Sequence, residues 1–413
     1  MNSIINIICC AIPIARIRRR YRKILKNRVN TPSKLIRHAS MRPIILWVDH
    51  ALGGGTEAYS RRQFRELKKE YNILRLQYFP ATRQYHLTLI TNTCRTYRTP
   101  DIYRIYNICN NLDIDKIIVN NLVAYKNTIE ILHIIQAIKE NNTMQPAVSF
   151  RGHDYHCICP SFNLINCDGQ YCNLRYNGGC EKCWANNMLG ADASTYNVLK
   201  SGATTICRWR TEWGNFLEKT SDSIVLFSEK IADIFVRTYP QIKNKIQIIP
   251  HTVQKFKPIK IKPHREINIA ILGAISYQKG AKIIHDMAQH LPQDINLKII
   301  GTIKNAPSNI FVNGKYKTHQ LPRLVKRHKI DLVFIPSIWP ETFSYTTSEA
   351  ISMGLPVACY NIGAPAERVS KYTNGLVLNN ISPKENLIEI INFIKQQRQK
   401  NESSKNICFD PII

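Results

Sequence analysis

The chain has 413 residues, 44% of them hydrophobic, which is enough for two domains with cores of their own and too apolar for a disordered protein. Its 57 Lys and Arg against 29 Asp and Glu leave a formal charge of +28, which calls for anionic partners: phosphorylated substrates, an anionic membrane surface or nucleic acid. No run of 18 apolar residues occurs, which excludes a transmembrane helix, and the 13 Cys are too sparse and uneven for a secreted disulfide scaffold.

The first 40 residues stand apart. Ile4 to Ile17 is mostly apolar and Arg16 to Lys26 densely basic, the reverse of a secretory signal, whose charge precedes its apolar run. Residues 1–40 read as a basic leader able to lie on an anionic bilayer.

A regular pattern begins at Pro43. IILWV (Ile44 to Val48) is a continuous apolar run suited to a buried parallel strand. A loop with Gly53, Gly54 and Gly55 follows, then a helical stretch from Glu57 to about Lys69. Further strands are expected at Ile73 to Tyr78, Lys116 to Val119, Ala147 to Phe150 and Ser223 to Phe227, with a helix over Lys126 to Glu140. This alternation predicts a doubly wound α/β domain over 41–255.

Six of the Cys fall between Cys157 and Cys183, in a stretch rich in Asn and Gly. It reads as a Cys-rich insert, 155–190, within the first domain. The knuckle Cys180 and Cys183, with Cys159 and Cys172 upstream, has the ligand types for a structural zinc ion, and unligated thiols are the alternative.

The Pro- and Lys-rich stretch His251 to Glu266 reads as a linker. The pattern then restarts over 265–400. Strands are expected at Ile267 to Gly273, Ile295 to Gly301, Asp331 to Pro336 and Pro356 to Tyr360, and helices at Lys282 to Leu291 and Leu387 to Gln397. Two doubly wound domains would present the carboxyl ends of their strands to one inter-domain cleft, where open α/β sheets bind ligands.

The strongest chemical signal is PETFSYTTSEA, Pro340 to Ala350. Glu341 precedes a helix start and Glu349 lies within that helix. The amides of Phe343 to Thr347 would be free donors there, suited to a phosphate, with two carboxylates beside it suited to sugar hydroxyls. A second signal is ILGAISYQKGAK, Ile271 to Lys282, where Lys279 beside a helix start can serve a diphosphate as a point charge. A third is SFRGHDYHCICP, Ser149 to Pro160, where His153 and Asp154 follow a strand at its carboxyl edge.

The E-x7-E segment, preceded by FIPSIWP and followed by AISMGLPVACYNIGAPAE, resembles the donor-site signature of family 4 retaining glycosyltransferases of the GT-B fold, with the nearest likeness to bacterial enzymes of surface-polysaccharide and O-antigen assembly. The resemblance covers Ile267 to about Leu378. It implies that Glu349 binds the nucleotide ribose, that Glu341 contacts the donor sugar, and that the Phe343, Ser344 and Tyr345 backbone lies along sugar and diphosphate. Gly273, Gly54 and Gly55 would join the donor-binding set, and His153 would touch the donor sugar. Similar enzymes often carry an Arg where this chain has Ala274, which leaves more of the charge to Lys279.

The resemblance further implies a nucleotide-sugar donor, a saccharide or lipid-linked saccharide acceptor, and a donor site that needs no metal. With the basic leader, it predicts a cytoplasmic protein peripheral to the inner face of the membrane. Nucleic acid is not expected as a partner. The rival readings are another enzyme of the same fold, such as an epimerase or phosphorylase, and an idle nucleic-acid-binding protein with a zinc module.

Overall fold

The computed structural model describes residues 42–175, 177–187 and 205–406, with side chains as far as residue 400. The leader read at 1–40 lies outside the described residues.

The first sheet has eight strands in the order β4-β3-β2-β1-β5-β6-β7-β8. These are β1 (Ile44–His50), β2 (Asn72–Phe79), β3 (Gln84–Ile90), β4 (Cys94–Thr99), β5 (Ile114–Val119), β6 (Ala147–Arg151), β7 (Ser223–Leu226) and β8 (Ile246–Ile248). β1 pairs in parallel with both β2 and β5, and every one of its residues is buried, which is why IILWV reads as an unbroken apolar run. Helices α1 (Gly54–Leu67), α2 (Ile102–Asn110) and α3 (Thr128–Asn141) supply crossovers. Asp101 caps α2 and Asn127 caps α3, each accepting a backbone N–H with its side chain. Strands β3 and β4 were not expected. They extend the sheet as antiparallel neighbours of β2, and β3 alternates buried and half-buried residues as an edge region facing water on one side does.

The second sheet has six strands in the order β11-β10-β9-β12-β13-β14, all parallel. They are β9 (Ile267–Ile275), β10 (Ile295–Ile303), β11 (Phe311–Val312), β12 (Leu332–Ile335), β13 (Val357–Tyr360) and β14 (Gly375–Leu378). Successive residues of β9 feed opposite cores. Ile267, Ile269 and Ile271 pack with Ile299 and Phe334, whereas Ala270 and Leu272 pack with Ile300 and Val357. Both faces are therefore apolar, and helices cover them.

The chain clusters into two compact units. Among the described residues, one holds 42–162, 205–226 and 236–247, and the other holds 163–187, 227–235 and 248–406. This departs from the expectation that the whole insert 155–190 belongs to the first domain. Ile165 is buried in the second unit's core beside Ile267 and Ile299, and the Tyr277 hydroxyl donates to the Gly169 carbonyl at 3.1 Å. Those contacts carry 163–187 to the second unit. The fold is GT-B, with two Rossmann-like doubly wound units.

Candidate functional site

Each sheet has a point where strand order reverses and neighbouring strands lead their connections away in opposite directions, which leaves a crevice at their carboxyl ends. In the first sheet it lies between β1 and β5, and in the second between β9 and β12. The residues singled out in the sequence gather at these two places.

In the first unit, β1 ends in Asp49 and His50, both buried. Gly53 and Gly54 follow with φ of +85° and +76°, a conformation that L side chains rarely adopt, and a Cβ on either would meet nothing within 4 Å. The start of α1 carries no side-chain cap, so its amides and the open glycine loop can approach a ligand closely. Asn120 follows directly on β5, and β6 ends at Arg151, with His153 just beyond. Asn120 Oδ1 lies 2.9 Å from His153 Nε2, and Tyr59 packs edge-on to the His153 ring at 4.8 Å. Asp154 accepts from Asn121 Nδ2 at 2.7 Å and from the His156 amide at 2.9 Å. Burial pushes its carboxyl up to about 6.

Asp49 was not singled out in the sequence, yet it anchors this half. It pairs with Arg75 at 2.6 Å, and Arg75 also pairs with Glu57. A buried acid at the end of an apolar strand, four residues before a Gly triplet, was the available signal.

In the second unit, Gly273 in β9 has φ of +99°, and a Cβ there would lie 3.7 Å from the Thr346 methyl, so this backbone runs beside the start of helix α4 (Tyr345–Ser352). The turn Tyr277–Lys279 docks on the end of β12. Ile338 N donates to Gln278 O at 3.0 Å, and Gly280 lies so near Pro336 that a Cβ would fall 2.2 Å from its carbonyl oxygen. Lys279 is thereby held beside the Ser337–Glu341 loop, half-buried, and its ammonium has no hydrogen-bond or ion-pair partner among the described residues.

Glu341 is 5% exposed and accepts a hydrogen bond from the Ser337 hydroxyl. Its carbonyl accepts from Ala364 N at 2.9 Å, and Gly363 packs so closely that a Cβ would lie 2.6 Å from Pro340. The turn between β13 and helix α5 (Gly363–Val369) thus clamps this loop. Ser344, the residue before α4, has φ of +62°, a strained value for a residue with a Cβ. No side chain caps α4, and a helix start of this kind suits an anion. Glu349 is 7% exposed within α4, and its charge adds to the burial that raises the Tyr316 phenol.

Two residues beside this loop were missed. Arg368 in α5 lies 4.4 Å from the Phe343 ring centroid and donates to the Ser348 hydroxyl. Burial lowers its guanidinium to about 10, against the pull of Glu341 and Glu367. His251 stacks on Phe343 at 4.5 Å, and its Nδ1 lies 2.8 Å from the Tyr345 hydroxyl. Both sit in linker-like or helix-end sequence, and only an Arg inside the apolar run APAERVS hinted at a buried role. A cavity of about 500 Å³ opens on the Ser348 and Ser352 side of α4, lined also by Lys255, Arg368 and Lys371 but by neither Glu341 nor Glu349.

Among the described residues no three His, Cys, Asp or Glu converge as a metal-holding group. Cys159 Sγ lies 3.2 Å from the Ser161 hydroxyl, and Cys183 Sγ accepts the Cys167 amide. No helix among the described residues is long and apolar enough to cross a membrane.

These two sheets and this turn define the GT-B fold. Residues 252–407 match the family model "Glycosyl transferases group 1". Spore coat protein SA of Bacillus subtilis (strain 168) is 22% identical over 213 residues, 52% of this chain and 49% of that protein, so the match spans about half the length of this curated relative. Anabaena Alr3699/HepE, solved in complex with UDP-glucose, superimposes with a TM-score of 0.55 at 13% identity, over 86% of this chain and 91% of that one. The apo lipopolysaccharide outer core galactosyltransferase WaaB gives a TM-score of 0.53 at 11% identity, over 86% and 91%. At such identities the likeness concerns the fold.

Proposed function

We propose that the protein is a retaining, family 4 glycosyltransferase that moves a sugar from a nucleotide-sugar donor to a saccharide or lipid-linked saccharide in cell-surface polysaccharide synthesis. The observation that carries this reading is the E-x7-E turn: Glu341 and Glu349 on either side of an uncapped helix start, with Gly273 beside it and the unpaired Lys279 docked on the same strand end.

The donor diphosphate would lie over the first amides of α4, neutralised by Lys279. Glu349 would accept hydrogen bonds from the ribose diol and Glu341 from the donor sugar. The Gly53–Gly54 loop and His153 of the first unit would bind the acceptor or the donor sugar. The bond from the anomeric carbon to the diphosphate breaks, the acceptor oxygen bonds that carbon on the same face, and a leaving-phosphate oxygen takes the acceptor proton. Dipoles and Lys279 supply the positive charge at the diphosphate, so a donor metal is not needed. The basic leader would hold the protein at the cytoplasmic face of an anionic membrane. The solved HepE complex with UDP-glucose supports a nucleotide-sugar donor, and the WaaB likeness supports a surface-saccharide acceptor.

A thermal-shift screen of UDP-, GDP-, ADP- and dTDP-sugars tests the reading, because a ligand that binds only the folded form raises Tm. One nucleotide series should raise it, and Glu349→Ala should abolish that rise. No shift with any of them, in a folded protein, would refute the proposal.

A further inference from the structure

Asn120 sits between a buried carboxylate and an imidazole. Its Nδ2 lies 3.1 Å from Asp49 Oδ1 and 3.1 Å from Ser60 Oγ, and its Oδ1 lies 2.9 Å from His153 Nε2. Asp49 is fully buried and also accepts from Arg75 Nη2 at 2.6 Å, Ser60 Oγ at 2.8 Å and the His50 amide at 2.9 Å. Both Asp49 oxygens thus already act as acceptors, Oδ1 from the His50 amide and Oδ2 from Arg75 and Ser60. The Ser60 proton is committed to Asp49, so Ser60 Oγ presents a lone pair to Asn120. Two acceptors on one side leave the amide a single orientation, nitrogen toward Asp49 and Ser60, oxygen toward His153. An amide oxygen cannot donate, so His153 Nε2 must carry the hydrogen.

We propose that the Arg75–Asp49–Asn120 chain fixes His153 as the Nε2–H tautomer. The neutral ring then has its one N–H committed inside the protein, and Nδ1 can act only as an acceptor. Asp49 and Asn120 are positioning residues, set by a carboxylate two bonds removed from the ring. If His153 contacts a donor sugar, which rests on the function proposed above, it takes a hydrogen bond from a sugar hydroxyl and does not give one. It is then not the proton donor to a leaving group.

The test is long-range proton–nitrogen correlation NMR on the full chain labelled with ¹⁵N-histidine, at pH 8, with His153 assigned by its loss in His153→Gln. A protonated Nε2 with a bare Nδ1, unaveraged, is expected. A protonated Nδ1, or an averaged pair, overturns the proposal in the unaltered protein, whatever the variants do. Asn120→Ala should convert the pattern to an averaged mixture, and Asp49→Asn should do the same by letting the amide turn. An unchanged His153 pattern in a folded Asn120→Ala protein would also overturn it. A fixed Nε2–H form in a protein whose His153→Ala variant binds donor like the wild type leaves this inference standing and removes only the donor-contact reading.

Discussion

The Arg368 guanidinium lies over the Phe343 ring, 4.4 Å from its centroid, and so ties the helix after β13 to the loop between the two glutamates. Its Nη2 is buried with no hydrogen-bond partner, and burial has already lowered its basicity. The contact therefore exists at a desolvation cost that Phe343, Ser348 and Glu341 offset only in part. Arg368→Met should keep the stem's packing while removing the charge and the Ser348 bond. A loss of donor affinity of about tenfold is expected by titration calorimetry, roughly 1.4 kcal/mol. Arg368→Lys keeps a charge but loses the planar fork, and should recover only part of that affinity. Wild-type affinity in Arg368→Met would show that the ring contact does not set the loop.

Lys279 is half-buried and unpaired, so its removal should barely touch the fold. Lys279→Ala is expected to hold stability within about 0.5 kcal/mol, as partner-free surface changes do. If Lys279 meets the departing diphosphate, kcat should fall by about 10² to 10³, as when one preorganised charge or donor is lost at a transition state. Melting curves beside turnover measurements separate the two effects.

Two glycines with similar φ should behave oppositely. A Cβ at Gly280 would fall 2.2 Å from the Pro336 carbonyl oxygen, while one at Gly54 meets open space. Gly280→Ala carries both backbone strain and a main-chain clash and should cost about 3 kcal/mol or more. Gly54→Ala carries the strain alone, about 1 kcal/mol, with any larger loss falling on ligand binding. Urea midpoints of the two variants distinguish these cases, and equal losses would contradict the packing described for Gly280.

Acid behaviour can be read from one loop. His156 is buried against Trp209 and Thr128, and burial lowers its pKa to about 3, while burial raises the carboxyl of Asp154 to about 6. Between pH 4 and 6 the unfolded chain protonates the histidine but not the aspartate. The folded chain does the reverse, so the two slopes cancel. Asp154→Asn removes the aspartate contribution. Relative to wild type it should then lose stability as pH falls through that window, by on the order of 1 kcal/mol per pH unit. His156→Gln should shift the other way, gaining relative stability on acidification. Chemical unfolding of all three proteins from pH 4 to 7 reads these differences.

Much of this was legible before folding. The parallel strands β1, β12 and β13 are fully buried, mostly apolar runs because both faces of each sheet are covered, and such runs need no partner to be recognised. Strands β3 and β4 were missed because an antiparallel edge buries one face only, so QYHLTLI and CRTYRT mix polar and apolar residues.

The sequence by itself determined two doubly wound sheets and a strand–turn–helix signature with its glutamates and lysine, since both rest on local patterns of burial, glycine and charge. Only the tertiary structure decided that Arg368 and His251 meet Phe343, that part of the Cys-rich stretch joins the second core through Ile165, and that Asp49, Asn120 and His153 form one chain. Those contacts join residues from 25 to 134 positions apart. Long-range side-chain contacts of this kind leave no period in the sequence, because they are fixed by which strand ends the sheet brings side by side.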